Sequence, residues 1–148
     1  MIQKKNLRKA SGLSIILMLI CIAVGTSCTA KQQSPTILDI TKVAGGLGKV
    51  SVTVKNIGDS TAETITMMIS VKGGILGRIN ITKICSGCDS CGTTIEPNAI
   101  KTESTSESGL IIGFGPITII TSADAENAEK VEKTYNGFVF GPFVIVTQ

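Results

Sequence analysis

KVSVTVKNIGDSTAETITMMISV, residues 49–71, carries the clearest structural pattern in the chain. Val50, Val52 and Val54 alternate with Ser51, Thr53 and Lys55. Ile65, Met67, Ile69 and Val71 alternate with Thr64, Thr66, Met68 and Ser70. A period of two is the spacing of β-strand side chains, so each run gathers one apolar row on one face. Residues 56–60 between them hold Asn56 and Gly58, which punctuate a turn. The stretch predicts two strands of a half-buried sheet. Met68 interrupts the polar face and calls for cover by a loop or a partner.

Working outward, residues 36–43, TILDITKV, predict a first strand at a sheet edge. AGGLG at 44–48 predicts a turn, since glycines take positive φ without steric cost. Gly73 and Gly74 close another turn, and residues 75–84 continue as a strand with Ile79 and Ile81 on one face. Residues 99–108, AIKTESTSES, read as a charged edge strand. Residues 110–121, LIIGFGPITIIT, form the most apolar run after the leader and predict a central strand. Gly113, Gly115 and Pro116 should place a bulge in it. Residues 124–134, DAENAEKVEKT, read as a charged connection. Ala125, Ala128 and Val131 recur every three residues there and suggest a short surface helix. Residues 137–146, GFVFGPFVIV, predict one last strand, broken at Gly141 and Pro142. The tripeptide Phe-Gly-Pro occurs at 114 and again at 140, which reads as matched kinks. The sum is an all-β, antiparallel sandwich of about seven or eight short strands over residues 36–148.

The first thirty residues have another character. Residues 1–9 are basic, residues 13–24 (LSIILMLICIAV) are apolar apart from Ser14, and small residues follow. That is the three-part plan of an export signal, a leader helix over residues 1–30. The apolar run is shorter than the roughly 20 residues a membrane span needs. Val24-Gly25-Thr26-Ser27-Cys28 resembles a bacterial lipobox, with Gly25 where Leu is usual, so lipid attachment at Cys28 and simple cleavage near Ala30 are both open. Residues 31–35 read as a tether. The expected location is extracytoplasmic, either secreted or held at the membrane by the signal or a lipid.

The net charge of +3 comes from this leader. Beyond residue 27 there remain ten basic and eleven acidic residues. A domain so near neutrality has no electrostatic footprint for nucleic acid. The absence of His removes the commonest general base and metal ligand, and with it any Ser-His-Asp chemistry. GGLGK at 45–49 lacks the Ser/Thr and the following helix of a phosphate loop. No catalytic residue is nominated, no cofactor is expected, and the chain reads as a non-enzyme.

Val54-Lys55-Asn56-Ile57-Gly58-Asp59-Ser60-Thr61-Ala62 is similar to the V-x-N-x-G-x-x-x-A signature of CARDB and related immunoglobulin-like domains associated with cell adhesion. Residues 50–71 resemble strands B and C of such domains. GFGPITI and FVFGPFVI resemble segments of a small group of archaeal and bacterial envelope proteins. The resemblance implies an immunoglobulin-like sandwich in an extracytoplasmic setting and no particular ligand. The leader, the sandwich pattern and the missing catalytic groups together point to a contact or scaffolding role toward an envelope or surface protein.

Cys85-Ser-Gly-Cys88-Asp-Ser-Cys91 lies outside that pattern. Its spacing suits a soft metal or an iron–sulfur cluster. Three thiolates are one ligand short, and Asp89 or Glu96 would have to complete the set. A disulfide outside the reducing cytosol is the favoured reading, with Cys85–Cys91 as the preferred pair and Cys88 left over. A metal site on Cys85, Cys88 and Cys91, or thiol–disulfide exchange, is the alternative.

Overall fold

The computed structural model describes residues 34–86 and 92–147. The expected leader, its lipidation residue Cys28, and Cys88 and Cys91 lie outside the described residues. Within them the chain is all-β, and its paired strands run antiparallel. The strands are β1 (Leu38–Gly45), β2 (Val50–Asn56), β3 (Ala62–Glu63), β4 (Thr66–Gly73), β5 (Ile79–Ser86), β6 (Thr94–Ile95), β7 (Ile100–Ser104), β8 (Gly113–Ala125), β9 (Ala128–Gly141) and β10 (Phe143–Thr147). That is more than the pattern predicted, because two of them are two-residue ribbons and one expected strand divides in two.

β1-β2-β7 form one sheet, β10-β9-β8-β4-β5 a second, and β3-β6 a two-residue ribbon. The valine row of β2 and the Ile/Met/Val row of β4 are both buried, as their alternation requires. They do not share a sheet, however. The segment after Asn56 carries the chain from the three-stranded sheet to the five-stranded one, so the two rows face each other across the core. Periodicity sets the face of a strand and is silent on its sheet. Leu38, Ile40 and Val43 of β1 join this core. Their spacing works because the register shifts between Ile40 and Lys42, leaving Thr41 as the extra residue of a bulge. The Thr41 hydroxyl donates to the Thr53 carbonyl at 3.2 Å.

Four other expectations change. Residues Ile75–Gly77 form a 3-10 turn, and the strand begins only at Ile79. The β8–β9 ladder runs unshifted from Gly113↔Gly141 through Pro116↔Phe138 to Ala123↔Val131. The irregularity lies instead between Ala123 and Ala125, and the Gly-Pro step is no bulge. Proline is tolerated because the regular β4 ladder ends at Gly73↔Ile117: beyond it the Pro116 carbonyl accepts from Gly74 N at 2.7 Å, and the Gly74 carbonyl accepts from Gly77 N, so no donor from Pro116 is needed. The charged stretch 124–134 is the tip and first half of a long hairpin, not a helix. Asn127 fixes this tip to β3: its Oδ1 accepts from Glu63 N at 3.0 Å and its Nδ2 donates to the Thr61 carbonyl at 2.8 Å. Finally, residues 137–146 are the end of β9 and all but the last residue of β10, folded back at Gly141-Pro142 so that Phe140 pairs with Phe143. Gly141 has φ +59, the sign that the first position of a two-residue hairpin loop requires.

Lys133 joins the two sheets at one side. Its Nζ donates to Asp39 Oδ1 at 2.8 Å and to the Ile40 carbonyl at 2.9 Å. The Asp39 hydrogen bond holds the ammonium above the usual lysine value, against a smaller opposing effect of desolvation. A raised folded-state value gives stability that is complete below the ordinary lysine range and is lost as pH rises through the folded value. The pair is well solvated, so Lys133→Met is expected to cost only about 0.5–1 kcal/mol. Urea unfolding should show that deficit constant across neutral pH and shrinking in strong alkali.

Candidate functional site

The strands of the five-stranded sheet place a band of aromatic side chains on its outer face. Cross-strand partners point to the same face. The register therefore sets Phe114 beside Phe140, Phe140 beside Phe143, Pro116 beside Phe138, and Phe138 beside Ile145. Val139, Val144, Ile117 and Gly115 between them turn inward and are buried. Phe114 and Phe140 meet edge to face, with centroids 5.2 Å apart and planes at 81°, a favourable aromatic geometry. These four phenylalanines are all that the chain contains, and all four are exposed.

Loops extend the band around the same end. Leu47, on the β1–β2 loop, bridges to Phe143. Leu110 lies against Gly48. Ile75, Leu76 and Ile112 line a cleft with Phe114 and Arg78. Ten of the fourteen exposed large hydrophobic residues among those described sit at this end. Single exposed apolar residues need no explanation, whereas a contiguous patch of this kind marks a contact surface.

Leu76 is the sharpest case. It is 85% exposed and its φ is +61, the left-handed region that costs a non-glycine residue about 1–2 kcal/mol. Nothing it packs against offsets that cost. Leu76→Gly is therefore expected to raise stability by about 0.5–1 kcal/mol, after the greater freedom of unfolded glycine is deducted. Thermal unfolding checks this. A strained residue kept at the solvent-facing tip of a loop argues for use there.

Charge divides along the same axis. Lys49, Lys72 and Arg78 are exposed around the apolar end. Glu107, in the 3-10 turn Thr105–Ser108, is paired with Lys83, and that contact holds its carboxyl below the usual glutamate value. At the far end, around the β8–β9 tip, Asp124, Glu126, Glu129 and Glu132 are exposed, and the exposed Lys130 pairs with Glu132 at 2.8 Å.

The signature residues of the 54–62 segment play structural parts. Val54, Asn56, Gly58 and Ala62 are buried. Asn56 Nδ2 donates to the carbonyls of Ser60 and Ile95 at 2.8 and 2.9 Å, and Oδ1 accepts from Gly58 N at 3.0 Å. A Cβ on Gly58 would sit 2.4 Å from the Pro35 carbonyl oxygen, so the incoming chain passes directly over it. Asp59 is exposed, and its N–H donates to that same carbonyl.

Cys85, near the end of β5, faces Met67 across the ladder and is 3% exposed. Its side chain is engaged with a partner. Among the described residues no group of three Cys, Asp or Glu is placed to hold a metal ion. Glu96 is exposed on the loop after β6. The aromatic end was not nominated from sequence, although the signal was there. An antiparallel strand that is apolar at consecutive positions must turn half of its apolar side chains outward.

No family model matches the chain, and no curated protein matches it. Among solved structures, the X-ray structure of Northeast Structural Genomics Consortium target SoR45 is similar at 17% identity, over 78% of this chain and 86% of that one, with a TM-score of 0.38.

Proposed function

We propose that the chain is a non-enzymatic contact module of the cell envelope: an exported, immunoglobulin-like, CARDB-like β-sandwich that works by docking. The observation that carries this reading is the aromatic end, where every phenylalanine of the chain is presented to solvent by strands whose other face is packed. Export is supported by the three-part leader, with lipidation at Cys28 or cleavage near Ala30 as its two outcomes. The buried, engaged sulfur of Cys85 supports a disulfide to Cys91 that closes the loop after β5. It speaks against thiol exchange with an outside partner, which needs an accessible sulfur.

Cell fractionation with mass measurement of the mature N-terminus tests the reading. A processed form in the envelope or medium is expected, beginning either at acylated Cys28 or just after the leader. An unprocessed chain in the cytosol would overturn it. Metal analysis of the purified protein guards the alternative: stoichiometric zinc or iron, lost on Cys88→Ser, would move the function to the cysteine loop.

A further inference from the structure

We infer that the aromatic end docks on an anionic lipid bilayer, with Leu76 and Phe143 entering the interface and Lys49, Lys72 and Arg78 facing the headgroups. This rests on the contact reading above and names its partner.

Three observations converge on a bilayer. The apolar side chains occupy loop tips and the outer sheet face beside them, around the cleft that Ile75, Leu76, Ile112 and Phe114 line. Apolar loop tips of this kind can enter a soft surface. Phenylalanine, leucine and isoleucine are the side chains that gain from the boundary between headgroups and acyl chains. Leu76 keeps its strained, almost fully exposed conformation in the turn between β4 and β5, where a membrane would bury it.

Charge then selects the surface. Three exposed cations fringe the patch, and at the opposite end of the sheet four exposed carboxylates outnumber Lys130, which pairs with one of them. β8 and β9 run the length between the two ends, about 40 Å for 13 residues. The molecule would therefore orient in the field of an anionic surface before touching it, each basic side chain near the surface adding to the attraction. A second copy meeting end to end would gather both sets of three cations in one contact, since a two-fold contact repeats each patch on both sides.

The chain has no Trp, so Phe143→Trp supplies a single tryptophan, excited apart from Tyr135, at the aromatic end and Ile100→Trp one toward the other end. The mature exported protein carrying either substitution is mixed with vesicles of phosphatidylcholine, or of equal parts phosphatidylcholine and phosphatidylglycerol. Lipid brominated on its acyl chains serves as quencher. With anionic vesicles, the Phe143→Trp emission should shift to the blue and be quenched, and the Ile100→Trp emission should not. Added salt should weaken the response. Leu76→Gly in the Phe143→Trp background should weaken vesicle affinity about tenfold or more, the loss expected for one buried leucine. Because that substitution is expected to raise stability, a lost response cannot be assigned to unfolding. The site-specific signal also separates this contact from any held by a lipid at Cys28.

An unshifted Phe143→Trp spectrum, or an equal response to both vesicle types, would overturn the inference. So would a blue shift before lipid is added: if it depends on concentration a second copy covers the patch, and if not the chain's own remaining segment does. An exported protein that ignores vesicles leaves the contact reading standing and removes only the bilayer as its partner.

Discussion

Asn56→Ala is expected to destabilise the fold by about 4 kcal/mol, close to the whole stability of many small domains. Asn56 is fully buried and every hydrogen-bonding group it has is used. Its side chain satisfies two carbonyls and one N–H, its own N–H donates to Ala99 O, and its carbonyl accepts from Asn98 N. Alanine keeps the backbone pair and strips the other three partners in a place water reaches poorly. Each orphaned buried group costs about 1–3 kcal/mol, with partial relief as the site relaxes. Asn56→Asp is expected to be worse at neutral pH, because a carboxylate would face the carbonyls of Ser60 and Ile95. Burial and that repulsion would raise the folded-state value of the new acid. Its penalty should therefore ease as pH falls toward the ordinary aspartate value of about 3.9. Urea midpoints at neutral and acid pH measure both effects. An Asn56→Ala loss below about 1 kcal/mol would show that Asn56 does not hold the crossing between sheets.

Gly45→Ala is the second large effect. A Cβ there would lie 2.0 Å from the Val144 carbonyl oxygen and 2.7 Å from its carbon, both backbone atoms that cannot swing aside. This is where the end of β1 meets β10 and where Val144 N donates to Gly46 O at 3.0 Å. The methyl group must push the three-stranded sheet off the edge of the five-stranded one. Overpacking of this kind costs about 1–3 kcal/mol, and a backbone-on-backbone clash belongs at the upper end. Hydrogen exchange is the informative readout: Val144 should lose protection first, while β4 and the middle of β8 retain theirs.

Much of the fold was legible because burial on one face writes itself into sequence. The rows of β2 and β4 were read correctly for that reason. Their placement in different sheets was not legible, since it depends on Asn56 meeting Ile95, 39 residues away. The β8–β9 tip was mistaken for a helical connection because Ala, Glu and Lys have weak strand preference. Pairing with β8 on one side overrides that preference, and Asn127 holds the turn. Residues 110–121 do supply the central strand, β8, but without the expected bulge, and residues 137–146 divide at Gly141-Pro142. Apolarity at consecutive positions did not disclose that half of those side chains form the exposed aromatic band. The candidate contact surface was thus visible in composition and hidden by the usual meaning of that composition.

The chain enters the fold at the carboxylate-rich end, where Pro35 and Ile37 accept from Asp59 N and Ile57 N, and β1 then runs toward the phenylalanines. A pull between whatever holds the N-terminus and whatever grips Phe143 would act along the strands. The hydrogen bonds joining β1 to β2, over pairs from Leu38↔Asn56 to Gly45↔Val50, lie across that direction. They would be sheared together instead of being unzipped in turn, so the sandwich is wired to transmit tension between its two poles as a stiff strut.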